Sequence, residues 1–235
     1  AMISAKRLSG WVGADLHPLP RTQLDLGVRV DSLWFTTHDI LAQTRRASHG
    51  VHFGPKLALT LTPLEAWRLH LAAARGYRSP QARGLGDGEK TPFTRVTAVE
   101  AGFRYRMAHR LNASMQGFSS WLEDDLVFDE TTSRNEKAPG SWRAGMSADI
   151  SVELPSLASS CGGTVTSAEF TSSNPRFIRG QRVPYVPGLV ARCDLQWSHT
   201  LAQWFKRSVI GGLGVAQQLV WQRALPYSET DPGFA

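Results

Sequence analysis

Apolar and polar side chains alternate with a period of two along nearly the whole chain, and few folds satisfy that pattern. The clearest run is 23–31, where Leu24, Leu26, Val28 and Val30 oppose Gln23, Asp25, Gly27, Arg29 and Asp31. At 142–154, Trp142, Ala144, Met146, Ala148, Ile150, Val152 and Leu154 oppose Arg143, Ser147, Asp149, Ser151 and Glu153. The same dyad recurs at 98–107 and 189–198, with softer copies near 8–16, 56–61, 67–74, 111–122, 164–171 and 209–221. The pattern predicts about ten strands. One stretch, 64–74, is rich in helix formers, yet Trp67, Leu69, Leu71 and Ala73 alternate against Arg68, His70 and Ala72, so it also reads as a strand.

The connections alternate too. Tight links at 17–21, 62–66 and 108–110 separate longer polar ones at about 35–53, 76–93, 129–140 and 172–187. Short turns at one end and long loops at the other describe an up-and-down membrane barrel. The polar sides of the strands carry fixed charges of both signs. The apolar sides carry none, and Trp34, Trp67, Trp121, Trp142, Trp197 and Trp221 mark their ends, where a half-wet ring is favoured. The competing reading is a soluble β-rich module that grips a glycan or anion with its charged face while a second sheet buries the other.

Composition narrows the field. With 42% hydrophobic and 20% charged residues the chain is neither disordered nor collagen-like. No apolar run approaches the roughly 18 residues of a membrane helix. No basic-then-apolar leader opens the sequence, so an export signal is expected to lie outside it. The net charge of +6 is scattered, which argues against nucleic acid as a partner.

Four motifs in order carry a resemblance. Gly27-Val28-Arg29-Val30-Asp31 forms a Gly-x-Arg-x-Asp strand, and Gly76-Tyr77-Arg78-Ser79-Pro80 a Gly-aromatic-Arg-x-Pro rim. Glu100-Ala101-Gly102 forms a Glu-x-Gly strand, and Gly180 to Pro187 a Gly-x-x-x-Pro-x-x-Pro loop exit. The series resembles the barrel of TonB-dependent outer-membrane receptors. The resemblance implies an all-β antiparallel meander over 1–235, part of an approximately 22-stranded barrel in the bacterial outer membrane. It implies energy-coupled uptake of a scarce ligand such as a metal chelate, cofactor or sugar, with no enzymatic step and no resident cofactor. The plug domain, the coupling segment that meets the periplasmic energy transducer, and the closing strands are expected to be absent from 1–235. The partners implied are membrane lipid, that plug, the remaining strands, the transducer and an unidentified small ligand.

Site residues follow from the same reading. Tyr77, Arg78, Gln81, Arg83, Lys90 and Phe93 form a basic and aromatic set on an outer loop, suited to an anionic or chelated ligand. Asp25, Arg29, Asp31, Glu100, Arg104, Arg106, Arg143, Asp149, Arg192 and Asp194 face the lumen and are expected to contact the plug. His38, His49 and His52 fall in one expected outer loop, with no carboxylate or cysteine partner at ligand spacing, so no metal site is assigned. Cys161 is expected in a Gly-flanked turn and Cys193 on the lipid side, an arrangement in which they cannot meet. The Gly84–Gly88 stretch lacks the strand and helix context of a phosphate loop. The acidic residues Glu123, Asp124, Asp125, Asp129 and Glu130 at a rim raise the alternative of a ten-stranded outer-membrane protease, but no paired His shares that segment.

Overall fold

The computed structural model of the chain describes residues 2–39, 43–78, 94–108, 110–129, 134–204 and 207–223. Ten strands form one antiparallel sheet in sequence order. They are β1 Met2–Leu19, β2 Thr22–Asp39, β3 Thr44–Leu64, β4 Trp67–Arg78, β5 Thr94–Met107, β6 Leu111–Leu122, β9 Ser141–Leu154, β10 Leu157–Phe170, β11 Pro187–Trp204 and β12 Arg207–Arg223. A small hairpin, β7 Asp125–Asp129 and β8 Arg134–Ala138, rises between β6 and β9. Every neighbouring pair is antiparallel, and β1 and β12 are the two edges among the described residues. The links β1–β2, β3–β4, β5–β6, β9–β10 and β11–β12 are tight, and the longer connections all lie at the opposite end.

Two expected boundaries move. The polar stretch 35–53 is largely strand: β2 runs to Asp39, β3 starts at Thr44, and they stay paired up to Asp39↔Thr44. A hairpin that leaves the membrane no longer needs an apolar face, so its alternation fades while its ladder continues. Strand β10 begins at Leu157, earlier than the expected 164, because Ser159, Ser160, Cys161, Gly162 and Gly163 are too small to display alternation.

The register identifies two faces. Cross-strand partners share a face, so Leu24, Leu59, Leu71 and Ala101 lie in one row on one side. Arg104, Ser114, Asp149, Gly162 and Arg192 lie in a row on the other. The charged side is concave and holds an open groove of about 490 Å³ whose lining includes Arg104, Arg106, Asp149 and Arg192. The apolar side is convex and uncovered: Leu26 is 40% exposed, Val99 37% and Ile150 49%. A soluble sandwich would bury these side chains. The accessible surface of 16228 Å² also exceeds the roughly 10,500 Å² of a compact water-soluble chain of this mass.

Aromatic residues ring the convex face at two heights. Near the tight links, Trp67 packs on Tyr105 with ring centroids 4.8 Å apart, and Trp197 stacks on His199 at 5.9 Å. Toward the long connections, Trp121 faces Trp142 across β6 and β9, and Trp221 faces Leu189. The Trp67 row reaches β11 at Cys193, four residues above Trp197. The Trp121–Trp142 row reaches β10 at Glu169, four residues above the Trp221 row at Val165. Both belts thus step down by the same amount across the sheet, the signature of strands tilted against a slab. On β5 the belts are eight residues apart, from Thr97 to Tyr105. At about 3.4 Å per residue and a tilt near 40°, that is a height of about 21 Å, close to an outer-membrane apolar band.

Candidate functional site: inner wall and outer rim

The upper inner wall is organised around Asp31, which is fully buried although it lies on the polar side of β2. Register sets Ser9 opposite it on β1 and His52 opposite it on β3. Arg29, two residues away on the same face, donates from Nε at 2.8 Å and from Nη2 at 3.0 Å. Arg7 donates from Nε at 3.1 Å and from Nη2 at 2.9 Å, and the Ser9 hydroxyl also donates to the same carboxylate. One carboxylate therefore anchors two guanidiniums whose outer portions remain half exposed. Tyr77 closes the cluster: its ring is 4.6 Å from that of His52, and the Arg7 guanidinium stands 5.6 Å above it. The Gly-x-Arg-x-Asp motif thus builds a charge cluster, while Arg7, Ser9 and His52 belong to it with no motif to mark them.

A second carboxylate organises the rim. Asp125, at the start of β7, is 3% exposed and accepts from Arg78 Nη1 at 3.2 Å, from the Ser141 hydroxyl at 2.7 Å, and from Arg143. The interaction ties the β7–β8 hairpin to the tops of β4 and β9. Gly140 permits this closeness, since a Cβ there would sit 2.6 Å from the Glu123 carbonyl. A carboxylate held by two arginines is not a free base for activating water, which weighs against the protease alternative.

The loop after β10 folds back on the wall. Val183 N–H donates to the Ala168 carbonyl at 2.8 Å, and Phe170 N–H to Gln181 at 3.0 Å. Gly180 turns the chain with φ of +83°, and Asn174 Oδ1 accepts from the amides of Arg176 and Phe177. Val127, Ala138, Ala168, Phe170, Phe177 and Val183 are packed together beneath this fold. The Gly-x-x-x-Pro-x-x-Pro motif therefore packs the loop onto the outer end of β10.

The expected lumen residues, upper and lower, all fall on the concave face by register. Arg192 pairs with Asp194 at 2.7 Å, Arg106 Nε donates to Asn112 at 2.9 Å, and Gln116 donates to Glu100 at 3.2 Å. Asp25 faces Asp15, with the Gln23 amide donating at 3.2 Å to Asp15. Gly102 lets β5 and β6 approach, for a Cβ there would collide with the Met115 carbonyl and with His70.

Several site expectations change. Tyr77 and Arg78 end β4 instead of starting a loop and bind different clusters; Gln81, Arg83, Lys90 and Phe93 lie outside the described residues. His38, His49 and His52 are not in one loop. His38 is on β2, and His49 and His52 are on β3, with His49 stacked on Trp34 on the convex face and His52 buried on the concave face. No group of three metal-ligating side chains occurs among the described residues. Cys161 is within β10, directly opposite Cys193 on β11, and the two form a disulfide with a Cα–Cα distance of 4.1 Å. The expected separation failed because the small residues around Cys161 resemble a turn in sequence.

A tilted antiparallel sheet, apolar and belted outside and charged within, defines the wall of a transmembrane β-barrel. The sequence matches the TonB dependent receptor-like, beta-barrel family over residues 3–234, and the chain belongs to that family. Its members are receptors of the Gram-negative outer membrane, not enzymes. No curated protein matches the chain in sequence. Among solved structures, it is similar to the ferric yersiniabactin uptake receptor FyuA of Yersinia pestis (19% identity, TM-score 0.71, covering 93% of this chain and 34% of that one). It is also similar to the ferric-catecholate import receptor Fiu of E. coli K12 (12%, 0.66, 82% and 32%). A third is the FrpB iron transporter of Neisseria meningitidis (16%, 0.65, 94% and 39%). The chain thus spans about a third of the length of these structures, and the likeness establishes the fold.

Proposed function

We propose that this chain supplies barrel wall and outer rim to a receptor that captures a scarce ligand and admits it, by energy coupling, across the outer membrane. The carrying observation is the division of the sheet into a convex apolar face and a concave face that gathers charges of both signs, in clusters around Asp31 and Asp125 and in the Arg192–Asp194 pair. Asp25, Arg29, Asp31, Glu100, Arg104, Arg106, Arg143, Asp149, Arg192 and Asp194 form the surface against which a plug domain docks. Tyr77 and Arg78, with Gln81, Arg83, Lys90 and Phe93 beyond them, contribute ligand contacts at the rim. Aromatic rings and guanidiniums together suit an anionic chelate. The iron-linked names of the similar structures favour a ferric chelate over a cofactor or sugar.

The test places the complete receptor gene containing this chain in a Gram-negative host lacking its own iron receptors. Radioactive iron is supplied as ferric citrate or a ferric catecholate, with a labelled corrinoid and an oligosaccharide as comparison arms. Saturable uptake of an iron chelate that a protonophore abolishes is expected. Saturable uptake confined to another arm would replace the ligand class. Failure of every arm, or indifference to the protonophore, would refute energy-coupled uptake.

A further inference from the structure

The Cys161–Cys193 disulfide joins neighbouring strands on the convex face. Its neighbours in that row are Ile150 on β9 and Ala113 on β6, and on the other side Gln217 on β12, all outward. On β11, Cys193 stands four residues from Leu189, in the Trp221 row, and four from Trp197. The sulfurs therefore lie midway between the two aromatic belts, where hydrocarbon surrounds the wall.

Thiol–disulfide chemistry cannot proceed readily at that depth. Exchange needs a thiolate as nucleophile and another as leaving group, and hydrocarbon disfavours both. Water-soluble oxidants and reductants do not reach the midplane either. We propose that the disulfide is closed in the aqueous periplasm, before the sheet enters the membrane, and is then sealed by lipid. The oxidant is a periplasmic carrier that itself holds a disulfide. One cysteine thiolate attacks a carrier sulfur and the other carrier sulfur leaves as thiolate, forming a mixed disulfide. The second cysteine, as thiolate, attacks the receptor-side sulfur, and the carrier leaves with both electrons as a dithiol. The two cysteine protons pass to solvent and carrier, so the receptor loses two electrons and two protons and the carrier gains them.

Closure at that stage fixes the β10–β11 register across the intervening connection. Residues 171–186 separate these strands, and the cysteines are 32 residues apart in sequence. A one-residue slip would turn every apolar side chain of β11 into the lumen, so an early staple selects the productive pairing. This inference rests on the lipid-facing wall and not on the proposed ligand, so a failed uptake assay leaves it intact.

The test follows the complete receptor in cells by pulse–chase, trapping free thiols with a maleimide-linked polymer that retards the protein on gels. Soluble periplasm and outer membrane are separated at each time. The two-thiol form is expected only in the soluble fraction, with the inserted protein oxidised from its first appearance. In outer membranes, a hydrophilic phosphine should reduce the bond at least about tenfold more slowly than in the denatured protein. Reduced inserted receptor that later becomes oxidised, equal reduction rates, or two free thiols in mature barrel would each overturn the proposal. Oxidised protein that never enters the outer membrane would overturn the lipid-facing wall itself, and this inference with it.

Discussion

Leu71 offers the sharpest test of which solvent bathes the convex face. It is 53% exposed, four residues from Trp67, and in the row of Ala101, which is four residues from both Thr97 and Tyr105. With belts about 21 Å apart, it lies about 10 Å from each, at the midplane. Leu71→Arg should therefore cost about 2–4 kcal/mol of barrel stability, a factor of about 30–900 in the folding equilibrium. Trp67→Arg, at the lower belt, should cost about 0–1 kcal/mol from depth alone. The native chain already tolerates Arg75 on the row of Trp121 at the upper belt. Ala72→Arg, one residue along and facing Glu100 across the lumen side, should stay within about 0.5 kcal/mol. The assay is equilibrium urea unfolding of the complete barrel protein from lipid vesicles, repeated in thinner bilayers, where the Leu71 penalty should shrink. A flat profile along β4, or a Leu71 penalty independent of bilayer thickness, would refute the membrane argument.

Other outcomes follow from the same structure. Asp31→Asn removes the charge that gathers Arg7 and Arg29; because both guanidiniums are half exposed, the loss should be about 1–3 kcal/mol, read by the same unfolding titration. Gly102→Ala should cost about 1–3 kcal/mol through collision with the Met115 carbonyl, while Gly10→Ala, with open space around it, should be neutral or slightly stabilising; a thermal gel-shift comparison of the two separates packing from propensity. Asp125→Asn should free the β7–β8 hairpin from Arg78 and Arg143, raising protease cleavage at the rim several-fold without altering the wall fragments.

The wall was readable because the bilayer imposes a rule on every second side chain. Leu24 through Val30 and Trp142 through Leu154 announce their strands, and the register of the structure agrees with their faces. Where lipid ceases to act, the rule lapses, which is why the paired stretches 35–39 and 44–53 read as loop in the sequence. Small residues hide a strand in the same way, and Ser159 to Gly163 concealed both the start of β10 and the disulfide. Motifs located Arg29, Asp31, Tyr77 and Arg78, yet which carboxylate gathers which arginine depends on pairings across distant segments. Nothing near Arg7 or Ser9 in sequence points to Asp31, which they meet only because β1 is hydrogen-bonded to β2.

The packed cluster of Val127, Ala138, Phe170, Phe177 and Val183 divides the molecule by what holds it together. Water drives this small shelf at the mouth to fold, as it would any globular core, whereas the staves beneath it answer to lipid and to their own ladders. Denaturant in the medium outside the cell would loosen the shelf well before the staves. A lineage can therefore remodel the mouth, residue by residue, without renegotiating the terms on which the staves sit in the bilayer.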